Sequence, residues 1–223
     1  ATTITQHLWS PRYTITPAIA RGLMEIEAAR AVVERTPLPP TAEAELRRRA
    51  RLRSTHYSTR IEGNRLSLAE AERVISEAGA TVQGRERDVH EVRNYWHALL
   101  RAEEWAAQGK PLTEDLIRRL HALVEHGARA KPTLYRDGQN VIRDSATGAI
   151  VYLPPEANDV PGLMQALAAW ANQAQQDGLP VPLIAGLAHY QFVTIHPYFD
   201  GNGRTARLLA TFILHRGGYG LNG

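Results

Sequence analysis

His196-Pro197-Tyr198-Phe199-Asp200-Gly201-Asn202-Gly203-Arg204-Thr205-Ala206-Arg207 is the stretch that decides how this chain is read. A proline after His196 disfavours the right-handed helical region at that histidine, so an extended backbone is predicted there. The preceding helix ends, and an imidazole stands at the mouth of a loop. Gly201 and Gly203 let the main chain turn with its N–H groups pointing inward, a concavity that binds anions. A helix starting near Gly203 would add free donors and the positive end of its dipole. Arg204 and Arg207 are three apart and share a helix face, and their planar forks suit phosphate oxygens. Asp200 is a hard oxygen ligand suited to one vertex of a Mg²⁺ shell. Histidine titrates near neutrality and can serve as a base. Base, metal ligand, anion cradle and two clamps are what a phosphoryl-type transfer requires. Taken singly, each has a plainer explanation: a loop histidine, a Gly-Asn-Gly turn, a solvated arginine face. Their occurrence together, in order, carries the functional reading.

Outward from this loop the pattern is helical. Upstream, Val181 to Ile195 and Val160 to Gln173 read as helices. So do Thr113 to Glu125, with Leu116, Leu120 and Leu123 inward, and Asp88 to Ala107, with Val89, Val92, Trp96 and Leu99 or Leu100 on the apolar face. Ser67 with Glu70 forms a capping box that starts another helix. A long helix from Thr41 carries Arg47, Arg48, Arg49, Arg51 and Arg53 and ends near Glu62-Gly63-Asn64. Thr36 to Pro40 breaks the chain. Before it, Pro17 opens a helix with Ile19, Leu23, Ile26 and Ala29 at helical spacing. Gln139 to Ile142 and Ala149 to Leu153 are β-prone runs around Asp144-Ser145-Ala146-Thr147-Gly148 and predict a hairpin, ended by Pro154-Pro155. The fold class is mainly α, a helical bundle with one β-hairpin.

The bulk composition bounds the rest. The chain has 223 residues, 43% of them hydrophobic, which suffices for one sizeable core. The formal charge is +3, and only Lys110 and Lys131 are lysines, so the basic residues reflect a preference for Arg and not a nucleic-acid surface. There is no cysteine, which excludes disulfides, Cys-ligated zinc and thiol nucleophiles. No apolar run approaches a membrane helix, and no secretory signal opens the chain. The expected compartment is the cytoplasm. The glycine-rich end, Gly217 to Gly223, reads as cut short of a further segment.

The 196–207 stretch resembles the signature of the Fic family, His-Pro-Phe-x-Asp/Glu-Gly-Asn-Gly-Arg-x-x-Arg, with Tyr198 in place of Phe. The ring-for-ring change keeps the packing if the hydroxyl finds a partner. Weaker likeness runs through Glu91 to Leu99, Leu120-His121, Tyr135-Arg136 and Leu153 to Pro155. The resemblance implies a Fic fold, with the hairpin as a flap over the active site. It implies transfer of AMP from ATP to a Tyr, Thr or Ser hydroxyl of a target protein, the chain itself included, with release of pyrophosphate. His196 would be the base and Asp200 the Mg²⁺ ligand. Gly201, Asn202 and Gly203 would line the phosphate hole, with Arg204 on the phosphates and Arg207 on the γ-phosphate. Related Doc proteins, which phosphorylate, carry Ala-Asn-Lys-Arg where this chain has Gly-Asn-Gly-Arg. Val141, Ile142, Ile150, Val151 and Tyr152 are the candidate flap strands that dock the target through main-chain bonds; a small structural hairpin explains the same residues.

Ser58-Thr59-Arg60-Ile61-Glu62-Gly63 matches the family's inhibitory motif. Ser58 and Glu62 share a helix face, and a glutamate near a helix C-terminus opposes the dipole, which favours a use elsewhere. The resemblance implies that Glu62 takes the Arg207 guanidinium meant for the γ-phosphate. Residues 1–87 are then the region carrying the inhibitory helix, and 88–223 the Fic core. Rival readings are a Fic-fold regulator that works through protein or DNA partners, an enzyme using another donor, and an enzyme removing AMP. Nucleic-acid binding is not expected in this segment, and relatives that form dimers leave a homodimer open.

Overall fold

The computed structural model describes residues 9–128, 131–144 and 146–220. Ser145 of the predicted turn and the last three residues of the glycine-rich end lie outside the described residues.

Local signals set the helix starts. Helix α1 (Pro17–Arg35) begins at Thr16, whose hydroxyl accepts the Ile19 N–H at 3.3 Å, with Pro17 in the first turn. Helix α2 (Pro40–Ile61) ends at Glu62, followed by a left-handed Gly63 with φ 95°. Helix α3 (Leu68–Ser76) carries the capping box: the Glu70 N–H donates to Ser67 Oγ, and the Glu70 carboxylate accepts from the Ser67 N–H. Helix α4 (Glu86–Ala107) starts two residues earlier than expected, and α5 (Glu114–His126) is capped by Thr113. Helix α6 (Val160–Gln176) follows a short 3₁₀ turn and runs three residues further than its sequence pattern. Helix α7 (Val181–Ile195) and α8 (Asn202–Leu214) complete the bundle, and a wide turn, His215–Tyr219, follows.

The main core lies among α5, α6, α7 and α8 and the end of α4, around Leu120, Met164, Leu167, Phe192, Leu209 and Phe212. Helices α7 and α8, on either side of the 196–207 loop, share the most extensive contact. A smaller apolar cluster joins α2, α3 and α4 through Leu52, Val74 and Val92, and α2 also reaches α8. This seats the end of α2 over the loop. Among the described residues no helix is long and apolar enough to cross a membrane.

Two expectations need correction, and one helix face is left uncovered. The Ile19–Leu23–Ile26–Ala29 stripe, whose spacing predicted a helix, joins neither apolar cluster among the described residues. Helix α1 buries no residue, and Ile19 and Ile26 are exposed; among the described residues no other helix makes an extensive contact with it. Arg30, over the Tyr219 ring at 4.8 Å, is one of its points of attachment. The hairpin is also smaller than predicted: β1 (Ile142–Arg143) pairs antiparallel with β2 (Ile150–Tyr152), and Val141 lies outside the strand. Side chains divert the segment before β1. Asn140 Oδ1 accepts the Val141 N–H at 2.8 Å, and Gln139 Nε2 donates to the Pro154 carbonyl at 2.9 Å. Finally, His196 is not extended but left-handed, with φ 51° and ψ 59°. Pro197 bars the right-handed helix, and a left-handed residue lets the His196 N–H close α7 on the Phe192 carbonyl at 2.9 Å.

The arginine run of α2 is an ion-paired helix face. Arg47 pairs with Glu43, Arg48 with Glu45 and Glu72, Arg49 with Glu45, and Arg51 with Glu103.

Candidate active site

A left-handed histidine is disfavoured by Cβ sterics, so something must hold it. Arg136, almost fully buried, does so through backbone carbonyls alone. Its Nε donates to His196 O at 2.9 Å, Nη1 to Gly138 O at 2.9 Å, and Nη2 to the Pro155 carbonyl. Its own N–H donates to Pro197 O at 2.9 Å. One guanidinium therefore ties the C-terminus of α7 to the entry and the exit of the hairpin. Sequence reading placed Arg136 only on the approach to the flap. A basic residue in a loop, far in sequence from its acceptors, gives no periodic signal.

His196 Nδ1 lies 3.3 Å from the Val193 carbonyl. A carbonyl can only accept, so Nδ1 carries the proton and Nε2 keeps its lone pair. Burial lowers the His196 pKa below the usual value, with the neighbouring Arg136 charge adding to it. The Val193 contact and the Glu62 and Asp200 charges act in the opposite direction. The result is a neutral imidazole with a free acceptor at neutral pH.

The turn after it is braced from inside. Asn202 is buried: its Nδ2 donates to Tyr198 O at 2.8 Å, and its Oδ1 accepts the Tyr198 N–H at 3.0 Å. That side chain closes the loop, so the cradle itself is backbone. His121 stacks on Tyr198, with centroids 3.6 Å apart and planes 16° off parallel, and its Nε2 donates to Asp200 O at 2.9 Å. Burial pushes the His121 pKa down to about 4. Gly201 is left-handed, with φ 72°, and caps α8 without a side-chain hydrogen bond. The first N–H groups of α8 thus have no partner within the helix or from its cap side chain.

Asp200 turns its carboxylate outward; the side chain is 67% exposed. Its Oδ1 accepts from the Gly201 N–H at 2.6 Å and lies 3.4 Å from Arg204 Nη2. One exposed carboxylate with a free oxygen, beside uncapped helix donors, has the oxygen chemistry a hard divalent cation takes. Among the described residues no set of three or more His, Asp or Glu gathers to hold a cation without such a substrate.

Arg204 and Arg207 face different surroundings. The Arg204 side chain is 3% exposed, with Glu91 Oε1 at 3.2 Å from Nη1 and Glu125 Oε1 at 2.8 Å from Nη2. Burial raises the Glu125 pKa, and Arg204 opposes the shift. Arg207 is partly open. Its Nε donates to Ser58 Oγ at 2.6 Å, and its Nη2 donates to Ser58 O at 2.8 Å and Glu62 Oε1 at 2.7 Å. A Cβ built on Gly203 would overlap Glu62 Oε1 and sit 3.1 Å from Arg207 Nη1. The Glu62 carboxylate therefore lies directly over the glycine of the cradle. Gly63 provides the left-handed step after it, with its N–H on the Arg60 carbonyl at 3.0 Å and open space where a Cβ would stand. Ile150, Val151 and Tyr152 are exposed on the hairpin, and the Tyr152 hydroxyl donates to Thr194 O at 2.9 Å. That bond holds β2 against the end of α7.

Comparison with known proteins places this arrangement. Residues 111–214 match the family model described as Fic/DOC family. A protein adenylyltransferase Fic of Drosophila willistoni is 31% identical over 207 residues, covering 89% of this chain and 39% of that protein. The chain thus spans 39% of the length of that relative. A Fic family protein from Desulfovibrio desulfuricans superposes with a TM-score of 0.77 at 32% identity, covering 96% of this chain and 62% of that one. A Fic domain containing signaling protein from Bacteroides thetaiotaomicron gives 0.78 at 27% identity, with 88% and 73% covered.

Proposed function

This chain belongs to the Fic/DOC family, and on that premise we propose that it is a protein adenylyltransferase held off by its own Glu62. The observation that carries the proposal is the Glu62 carboxylate, which sits over Gly203 and bonds to Arg207. An anionic oxygen already lies against Gly203 at the start of α8. A γ-phosphate fits the same place, and the two exclude each other.

In the reaction His196 Nε2 takes the proton from the target hydroxyl. The freed oxygen attacks the α-phosphorus of ATP, the bond from that phosphorus to the bridging oxygen breaks, and pyrophosphate leaves. The lowered pKa of His196 suits it to accept that proton near pH 7. The backbone of Gly201, Asn202 and Gly203 receives phosphate oxygens, and Arg207 receives the γ-phosphate once Glu62 withdraws. Asp200 would hold Mg²⁺, whose charge would offset that of the phosphates. The target lies as an extended strand along the hairpin, with Ile142 and Ile150 to Tyr152 presenting the edge. Under this reading residues before 88 supply the brake and those after it the catalytic core, and the reaction belongs in the cytoplasm, where ATP is supplied.

Intact-mass analysis of the Glu62→Gly chain incubated with ATP and Mg²⁺ tests the proposal. One AMP should be added to the chain itself or to an offered target, at a rate about 100-fold above the unaltered chain, the scale of a 1 Å misplacement of the reacting groups. A phosphate or UMP adduct from the matching donor would reassign the donor. No adduct of any kind would overturn the reading.

A further inference from the structure

A phosphate clamp has to present its fork to the substrate. Arg204 does not. Its guanidinium is enclosed by carboxylates from three elements: Glu91 on α4, Glu125 on α5 and Asp200 in the loop. Two of these side chains are themselves largely buried, at 11% and 17% exposed. Taking one member out of such a buried set leaves an uncompensated charge and is costly. Arg207, one turn on, has no such enclosure.

Glu125 also underlies the turn itself. A Cβ on Gly201 would overlap its carboxylate and lie 3.1 Å from its Cγ. Glu125 and Arg204 therefore form the floor on which Gly201 turns, and Asp200 projects from that floor. Glu91 extends the set in the other direction. Its second oxygen accepts Asn64 Nδ2 at 3.0 Å, and that nitrogen also donates to Asp88 O at 2.9 Å. Asn64 follows directly on Glu62-Gly63, so the chain leaving α2 and the floor of the loop share one carboxylate.

We propose that Glu91 and Glu125 are positioning residues that fix Arg204 beneath the loop, where it steers Asp200 and does not bind phosphate. This rests on the reading of Asp200 as the Mg²⁺ ligand. Arg204 then acts as the outer partner of a metal-binding carboxylate, and disturbing such partners typically costs about 10- to 100-fold in metal affinity or rate.

The test uses the Glu62→Gly chain as parent and compares Glu91→Gln, Glu125→Gln and Asp200→Asn, with thermal melting to confirm folding. Binding of a fluorescent ATP analogue is measured in EDTA and again with Mg²⁺. Both glutamine variants should keep the EDTA affinity within about twofold and lose about 10-fold of the Mg²⁺-dependent gain, a loss in the range expected of outer-shell partners. In the Glu125→Gln/Asp200→Asn double variant the losses should not add, because both act through one ligand. A loss of EDTA affinity of about tenfold in the glutamine variants would put Arg204 on the phosphates and overturn the proposal. Unchanged Mg²⁺ dependence, or fully additive losses, would overturn it as well. Either glutamine variant alone decides if the other does not fold. A parent that binds ATP yet transfers no AMP would fail the adenylyltransferase reading and leave this result standing.

Discussion

The two ends of the 196–207 loop are held in opposite ways. At the His196 end the contacts are buried and come from several elements: Arg136 on backbone carbonyls, His121 on the Asp200 carbonyl, and Asn202 across the turn. At the Arg207 end they come from one helix, through Ser58 and Glu62, and the Arg207 and Glu62 side chains are 25% and 30% exposed. A partly exposed ion pair is screened by water and is typically worth about 1 kcal/mol or less. The His196 end is thus preorganised, while, under the proposed function, the Arg207 end is exchangeable. Preorganised donors and acceptors accelerate a reaction because they need not rearrange during it. An inhibitory contact must do the reverse and yield to a competitor.

The largest effect is expected where that contrast is sharpest. In the Glu62→Gly chain, His196→Ala should cut AMP transfer by about 10²- to 10⁴-fold, the usual contribution of a general base. ATP binding, read by fluorescence, should hold, because His196 lies at the other end of the loop from Arg207. Retained turnover would remove His196 as the base. In the same parent, burial keeps the His196 pKa below its ordinary value. The acid limb of kcat should therefore lie at a lower pH than an unburied imidazole would give.

Arg136→Met comes next. The variant keeps the bulk of the stem but leaves the carbonyls of His196, Gly138 and Pro155 without their donor. Each buried polar group left unpaired costs about 1–3 kcal/mol. Urea denaturation should show a loss of about 3 kcal/mol or more, and kcat should drop with little change in ATP affinity, since the left-handed His196 loses its support. Equal loss at the Arg207 end, seen as weaker ATP binding, would mean that the two ends are not separately held.

Much of this architecture was readable from local sequence. Helix starts at Thr16, Ser67 and Thr113 depend on a hydroxyl and an N–H three residues away, so the signal sits within one turn. The 196–207 loop and the Ser58–Glu62 pair were readable as motifs. Other features depend on partners distant in the chain. Family likeness picked out the stretches holding Glu91, His121 and Arg136, and nothing picked out Glu125, but no local signal marks any of them as a support of the loop, because each acts on residues brought to it by the packing of α4, α5 and α7 with α8. The apolar stripe of α1 was readable as a helix, but its exposure was not readable, because periodicity reports an amphipathic face and not whether anything covers it. The strand shift at Val141 follows from the Asn140 side chain, which competes with the ladder in a way a β-prone run does not reveal.

The smallest expected effect concerns the one departure from the family signature. Tyr198 is buried, its ring lies on His121 and 5.6 Å from Tyr135, and its hydroxyl has no hydrogen-bond partner among the described residues. Burial raises the pKa of that phenol, as it does for a group with nowhere to place a charge. Tyr198→Phe keeps the ring and removes the unpaired oxygen. A stability gain of about 1 kcal/mol is expected, at the low end of the cost of an unsatisfied buried group. That corresponds to a rise of about 2–4 °C in Tm for a chain of this size. Transfer by the Glu62→Gly chain should stay within about twofold, because the stack on His121, which holds Asp200 from behind, depends on the ring and not on the hydroxyl. A fall in Tm would mean that the hydroxyl has a partner, an ordered water bridging it to the buried surroundings. The buried end of the loop would then owe part of its rigidity to a polar contact that phenylalanine cannot make.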